Sequence, residues 1–243
     1  MAAEGRRRGV PAGETKSSAT DMVTEFDKAS ERLIVQGLLA ARPDDGLIGE
    51  EGSSIDGTSG IDWLIDPIDG TTNFLYDLPG WAVSIAAADA EGALVGAVYV
   101  PALDEMFAAR RGGGATLNGR PIRCGSVAEP ATALLATGFS YVPERRAQQA
   151  ARLVHVLPHV RDIRRLGAAS VDLCHAAAGR VDAYVEDWLG PWDLAAGELI
   201  AREAGCRSGD LDGARARPQQ VLVANPALFE PLAALLRAAW AIA

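Results

Sequence analysis

Short apolar runs that stop abruptly at carboxylates punctuate the first third of the chain. Residues 46–49 and 61–65 both read this way, which is how a strand delivers a polar side chain to the end of a sheet. Before them, residues 24–41 read as a helix: Thr24 can cap it, Asp27 at the third position supplies a short variant of the capping box, and Pro43 follows its end. Residues 81–89 and 93–100 read as a hairpin turning at Ala90-Glu91-Gly92, with a third strand at 105–109 and a turn-rich stretch at 112–125. The second half alternates: strand 131–140, helix 144–157, helix 169–178, strand 182–186, helix 192–204, strand 221–224 and a closing helix 226–239. Hairpins early and alternation late predict layered α and β structure, not a Rossmann or TIM pattern. No repeat, low-complexity linker or domain boundary interrupts residues 1–243, and residues 1–20 read as irregular, so a single domain is expected.

Composition narrows the function classes. With 49% apolar and 23% charged residues the 243-residue chain has a soluble globular profile. No apolar run approaches the roughly 20 residues needed to span a bilayer. Arg6, Arg7 and Arg8 are followed by no apolar segment, so no signal peptide is expected. Cys124, Cys174 and Cys206 form no C-x-x-C pair, which points to a reducing cytoplasm and no structural zinc. A net charge of −9 disfavours a nucleic-acid partner. An acidic protein still binds a phosphate ester if metal ions reverse the local potential.

Three segments carry the chemistry: Gly49-Glu50-Glu51, Trp63-Leu64-Ile65-Asp66-Pro67-Ile68-Asp69-Gly70-Thr71-Thr72-Asn73-Phe74, and Trp192-Asp193-Leu194-Ala195-Ala196-Gly197. In the second, Pro67 is expected to fix a turn and Gly70 to free the backbone, so that Asp66 and Asp69 point into one space with the Ile68 carbonyl between them. Two carboxylates so placed repel unless a cation lies between them, and an oxygen-only donor set favours Mg²⁺ over Zn²⁺. Gly70-Thr71-Thr72 is expected to open a helix whose free N–H groups cradle phosphate. Each segment alone has a blander reading: a turn, a solvated loop carboxylate at Glu50, a plain N-cap at Asp193. Their joint occurrence, each at the boundary of an apolar element, favours the metal site.

These segments resemble the inositol monophosphatase family of lithium-sensitive, magnesium-dependent phosphatases. The stretches that carry the resemblance are DMVTEFD, LIGEEGS, WLIDPIDGTTNFLYDLPGWAVSIA, LNGRPI, RRLGAASVDLCHAAAGRVDAYVE and PWDLAAGELIAREAG, and they cover Lys16 to about Gly205. The resemblance implies the layered αβαβα sandwich shared with fructose-1,6-bisphosphatase-like proteins, two to three Mg²⁺ per subunit, and a homodimer. It implies that Glu50, Asp66 and the Ile68 carbonyl hold a first ion, that Asp66, Asp69 and Asp193 hold a second, and that Glu50 helps with a weaker third near Lys16. Thr71, paired with Asp27, would orient the attacking water, and the Gly70 and Thr71 amides would grip phosphate. Glu186 would bind a hydroxyl of the leaving alcohol, with Gly167 and Ala169 lining that pocket. The implied substrate is a small phosphorylated polyol or sugar, with inositol monophosphate preferred on Thr72-Asn73-Phe74 and Glu186. Histidinol-phosphate or broad sugar-phosphate hydrolysis on the same scaffold is the alternative, and a regulatory binding protein a more distant one.

No protein nucleophile is needed for such a reaction, and the three cysteines suggest none. His155 and His159 have metal-binding spacing, but Pro158 breaks that face and a surface role is expected; His175 reads as a packed residue. Arg161, Arg164 and Arg165 read as a charged surface strand, and Trp63 and Trp192 as packing that fixes the carboxylates after them. Only fifteen residues precede Lys16, where family members usually carry a long first helix, so residues 1–15 are expected to form a shortened N-terminal region.

Overall fold

The computed structural model describes residues 14–15 and 22–241, so Lys16 and most of the expected shortened N-terminal region lie outside the described residues. A short antiparallel pair, β1 (Glu14–Thr15) and β2 (Met22–Val23), leads into α1 (Glu25–Ala41). Helix α1 starts where the sequence puts its cap. The Thr24 hydroxyl accepts from the Phe26 and Asp27 amides (3.1 and 3.4 Å), and Asp27 Oδ2 accepts from the Thr24 amide at 2.7 Å. This reciprocal box satisfies donors that a helix start otherwise leaves bare.

The larger sheet contains β3 (Gly46–Gly49), β4 (Ser54–Ile55), β5 (Asp62–Asp69), β6 (Ala82–Asp89), β7 (Gly92–Val100), β8 (Glu105–Arg110), β9 (Gly114–Leu117) and β10 (Arg120–Pro121), in the order β10-β9-β8-β7-β6-β5-β3-β4. Between β5 and β6 lies the short helix α2 (Thr71–Leu75). The smaller sheet contains β11 (Leu134–Thr137), β12 (Asp162–Arg164), β13 (Ala183–Asp187), β14 (Arg207–Gly209) and β15 (Gln220–Ala224), in the order β12-β11-β13-β15-β14. Helices α4 (Ala169–Ala177) and α5 (Pro191–Glu203) lie between the sheets, α3 (Pro143–Val156) and α6 (Pro226–Trp240) cover the smaller sheet, and α1 packs on β5. The result is the expected αβαβα sandwich. No helix among the described residues is long and apolar enough to cross a membrane.

Strand register explains which side chains enter the middle layer. Leu64, Ala86, Gly96, Ala109 and Ala115 stand opposite one another across five strands and therefore share a face. The row is made of small residues apart from Leu64, and α5 lies against it: a Cβ added at Gly96 would sit 2.9 Å from Ala196 Cα and 3.1 Å from its carbonyl oxygen. Two residues along, the next row on the same face is Asp66, Ser84, Val98, Phe107 and Leu117. Alternation thus puts Asp66 toward α5, and Ser84 Oγ donates to the Trp192 carbonyl at 3.3 Å to tie that helix start to the sheet. In β13, Ala183 and Val185 pack with α6 in the outer core, whereas Tyr184 faces the inner one, and Glu186 follows Tyr184 in the alternation. Leu173, Leu199 and Ile200 are fully buried in the inner layer, each contributing about 1.5–3 kcal/mol.

Three expectations change in detail. The strand expected at 61–65 runs on to Asp69, and Pro67 sits in a β-bulge between Asp66 and Asp69 instead of making a turn. The strand expected at 131–140 is a 3₁₀ turn (Pro130–Thr132) followed by four residues of β11, and the turn-rich 112–125 contains β9 and β10.

Gly96→Val should destabilise the protein by about 1–3 kcal/mol, because the added methyls must displace the α5 backbone. Gly37→Ala in α1 has no atom within 4 Å of the new Cβ and should stabilise by about 0.5–1 kcal/mol. Denaturant midpoints check both, and equal effects at the two glycines would contradict the close-approach argument.

Candidate active site

A cavity of about 360 Å³ opens where β5, α2, α4, β13 and α5 converge. Its lining includes Glu50, Asp66, Ile68, Asp69, Gly70, Thr71, Gly167, Ala169, Glu186 and Asp193, so the expected metal, phosphate and alcohol-binding residues face one space. Asp27 stands behind that wall, joined to it through Thr71.

The bulge at the end of β5 aims the carboxylates. Asp66 Oδ1 accepts from the Ile68 amide at 3.0 Å, which bends the chain so that Asp69 returns toward the same side. Gly70 then takes φ 88°, and a Cβ there would meet the Gly80 carbonyl oxygen at 3.0 Å, Ala168 Cβ at 3.1 Å and the Gly167 oxygen at 3.1 Å. Only glycine fits both the left-handed backbone and the close approach of the 167–168 loop. Asp193 arrives from the other side, at the third position of α5, where its Oδ2 accepts from the Gly190 amide at 2.7 Å.

Asp66, Asp69 and Asp193 each offer an oxygen within 4.8 Å of the others. Glu50 faces the same cavity and acts on Asp66 by charge and by hydrogen bonding. Burial first, then the charges of Glu50, Asp69 and Asp193, push the Asp66 carboxyl well above the usual carboxylate range. Burial and the Asp69 charge do the same to Asp193. Burial also raises Asp69, to about 6, even though hydrogen bonds from Ser170 and Ala169 pull the other way. Buried carboxylates that are held together and mutually repelled need a cation to stay ionised. The donors are all hard oxygens, so the cluster fits Mg²⁺ or a similar divalent ion.

Asp69 does a second job that sequence reasoning missed. Its Oδ1 accepts from the Ala169 amide (3.2 Å), and its Oδ2 accepts from the Ser170 amide (2.7 Å) and hydroxyl (2.5 Å). Helix α4 has Ala168 as N-cap and no side-chain cap of its own, so a carboxylate from the other side of the cavity caps it. No spacing rule links residues 69 and 170 in the sequence.

Thr71 and Asp27 meet as expected: Thr71 Oγ1 lies 3.2 Å from Asp27 Oδ1 and 3.2 Å from the Ile68 oxygen. Asp27 is fully buried, and burial raises its pKa against the opposing hydrogen bonds from Thr24. Glu186 accepts from the Tyr184 hydroxyl at 2.6 Å on the facing wall, and burial raises it to about 7.

Other readings need correction. Asn73 does not reach the cavity: its Nδ2 donates to the Gly80 and Leu166 carbonyls (2.5 and 2.7 Å), stapling the two loops that flank Gly70, while Phe74 packs on Trp81 and Phe26. Trp63 points its indole N–H at Asp45 (2.9 Å), on the face of β5 opposite Asp66, so it does not fix that carboxylate's direction. Arg164 is in a surface strand paired with Asp162, but Arg165 lines the cavity. His155 and His159 are exposed, and His175 is half-buried beside Arg180.

Comparison with known proteins agrees with this geometry. A sequence profile of the inositol monophosphatase family matches residues 2–241. The inositol-1-monophosphatase of Rhizobium meliloti is 45% identical over 196 residues, covering 79% of this chain and 73% of its own. The Nus factor SuhB of Vibrio cholerae is 42% identical over 201 residues, covering 82% of this chain and 75% of its own. The crystal structure of extragenic suppressor protein SuhB from Bartonella henselae superposes with a TM-score of 0.91 at 35% identity, covering 97% of this chain and 92% of that one. A buried acidic cluster at a strand end in an αβαβα sandwich defines a phosphatase class that uses divalent metal on a phosphorylated substrate. The chain belongs to the inositol monophosphatase family.

Without metal, carboxyls with raised folded-state pKa values stabilise the fold fully only below the unfolded value of about 4. That contribution is lost as pH rises through about 6 for Asp69 and about 7 for Glu186. In EDTA, Asp193→Asn should therefore be more stable than the wild type at pH 7.5, with the gap closing toward pH 4. Mg²⁺ at a hundred times its Kd should add about 2.7 kcal/mol to the wild type and far less to the variant. Denaturant melts with and without Mg²⁺ read both, and a variant less stable than wild type in EDTA at pH 7.5 would contradict the repulsion argument.

Proposed function

We propose that the protein is an inositol-phosphate phosphatase, hydrolysing myo-inositol monophosphate to inositol and phosphate with Mg²⁺. The observation that carries this reading is the convergence of Asp66, Asp69 and Asp193 in a cavity whose opposite wall presents Glu186. In this reading Glu50, Asp66, the Ile68 carbonyl, Asp69 and Asp193 hold two to three Mg²⁺ per subunit. The ions supply charge balance for the phosphate and for the attacking and leaving oxygens.

The chain's own residues do the positioning. The Thr71 hydroxyl donates to Asp27, which leaves its lone pairs to accept from a water aimed at phosphorus. The Gly70 and Thr71 amides hold the phosphate oxygens in line with that water. The water oxygen bonds to phosphorus as the bond from phosphorus to the ester oxygen breaks, and the proton that the water gives up ends on the leaving alcohol. Gly167, Ala169 and Glu186 receive the alcohol, Glu186 accepting from a hydroxyl. The reading takes residues 1–243 as one catalytic domain acting in the cytoplasm as a homodimer sensitive to lithium.

Some relatives carry the name Nus factor, so a regulatory role is the second reading. The assembled acidic cluster favours catalysis, since a binding surface gains nothing from mutually repelling buried carboxylates. Histidinol phosphate and other sugar phosphates remain rivals on the same scaffold.

Phosphate release from inositol 1-phosphate, histidinol phosphate, fructose 1,6-bisphosphate and adenosine bisphosphate, measured in parallel, tests the substrate. Inositol 1-phosphate should give the highest kcat/KM, and excess EDTA should abolish turnover. Asp193→Asn should cost a factor of at least about a hundred to a thousand, or roughly 3–4 kcal/mol of transition-state stabilisation. Full turnover in EDTA would remove the metal mechanism.

Glu186→Ala should lower kcat/KM for inositol 1-phosphate about tenfold to a hundredfold, mainly through KM, since a charge-assisted hydrogen bond is worth about 1.5–3 kcal/mol. The simple ester p-nitrophenyl phosphate offers no such hydroxyl and should lose much less. Equal losses on both esters would take Glu186 out of the alcohol pocket.

A further inference from the structure

Asp172 is a buried acid that neither the fold nor the metal cluster accounts for. It lies in the first turn of α4, the same turn whose Ala169 and Ser170 amides Asp69 caps, and lines the cavity while being 1% exposed. Its Oδ1 has no hydrogen-bond partner among the described residues. Buried carboxyl oxygens almost always have a partner, and one left bare costs about 1–3 kcal/mol. A bare carboxyl in a cavity wall retains hydrogen-bonding capacity for a ligand.

The surroundings place it at the alcohol end. The charges that act most on Asp172 are Glu186, then Asp69, then Arg165, whereas Asp66 responds to Glu50, Asp69 and Asp193. Asp172 therefore lies near both Glu186 and Asp69, where the alcohol-binding part of the cavity meets the metal cluster. Arg165 acts on both Asp172 and Glu186, opposing their negative charge. With the Asp172 carboxyl protonated, the Glu186 carboxylate and the Arg165 guanidinium balance, which suits a neutral group rich in hydroxyls better than an ammonium. Burial pushes Asp172 up to about 8, so its carboxyl keeps a proton near neutral pH and both donates and accepts, as a hydroxyl partner requires.

We propose that Asp172 is a second specificity-determining residue beside Glu186, its carboxyl group hydrogen-bonding a hydroxyl of the leaving alcohol, so that the cavity selects phosphate esters of polyhydric alcohols. The inference rests on the reading of the cavity as a phosphatase site, and the experiment separates the two.

The wild type, Asp172→Asn and Asp172→Ala are assayed with Mg²⁺ on inositol 1-phosphate, histidinol phosphate and p-nitrophenyl phosphate, and each variant's melting temperature is recorded. The readout is the kcat/KM ratio of the polyol ester to p-nitrophenyl phosphate. Asp172→Ala should lower this ratio at least tenfold, chiefly through KM for the polyol ester, and Asp172→Asn, which keeps an amide able to donate and accept, should lower it less. An unchanged ratio in folded variants, or a loss that falls on histidinol phosphate instead, overturns the proposal while leaving the phosphatase reading intact. No turnover of any ester by the wild type overturns the phosphatase reading itself. Should the variants not fold, a crystal structure of the wild type with inositol 1-phosphate and non-activating Ca²⁺ decides. A substrate hydroxyl within about 3.2 Å of the Asp172 carboxyl is expected, and its absence overturns the proposal.

Discussion

The hydrogen bonds from Ser170 and Ala169 to the Asp69 carboxylate join the two halves of the molecule at the reacting centre. Asp69 ends the strand β5 of the larger sheet, and α4 is the helix that packs on both α5 and the smaller sheet. The same carboxylate is the middle member of the acidic cluster. The helix N-terminus favours its charge, while burial and the Glu50 charge oppose it. A site built this way is rigid because its charge is shared between a cap and a cation, and neither can be removed without disturbing the other.

Asp27 repeats the device at the outer layer. Its Oδ2 closes the capping box at the start of α1, and its Oδ1 receives the Thr71 hydroxyl. The start of an outer helix is thereby registered to the residue that follows β5, and Asn73 registers the loops at 80 and 166 to the same few residues. Positioning to a fraction of an ångström demands such over-determination, since a loose shell around the reacting atoms costs rate directly.

Much of this was legible in the sequence, and the reasons are specific. Asp66, Asp69 and Gly70 could be read because a strand end and a left-handed glycine act within five residues, although Pro67 makes a bulge in place of the expected turn. The Thr24–Asp27 capping box is local in the same way. The hairpin β6–β7 follows from its own turn at residues 90–92. What stayed hidden depends on distant chain meeting: Asp69 on Ser170, Asn73 on Leu166, Trp63 on Asp45. Asn73 looked like a specificity residue because it lies inside the most distinctive motif, yet its amide nitrogen donates to two backbone carbonyls. Arg165 looked like its surface neighbours Arg161 and Arg164, yet it lies just past the end of β12 and lines the cavity.

The remaining asymmetry concerns which wall of the cavity carries selectivity. Phosphate and metal residues are tied down by capping bonds at Asp69, Asp193 and Asp27, so the backbone around them depends on a side-chain oxygen acceptor at each position. The opposite wall is built differently. Glu186 accepts a hydrogen bond from the Tyr184 hydroxyl, with Gly138 leaving room for its carboxylate, and the nearby Asp172 Oδ1 has no partner among the described residues. Side chains anchored by few bonds to the protein are free to be exchanged without unmaking the metal site. The geometry therefore divides the cavity into a wall fixed by folding and a wall free to be matched to an alcohol. That division is the physical reason one scaffold supports several phosphate esters with the same hydrolytic step.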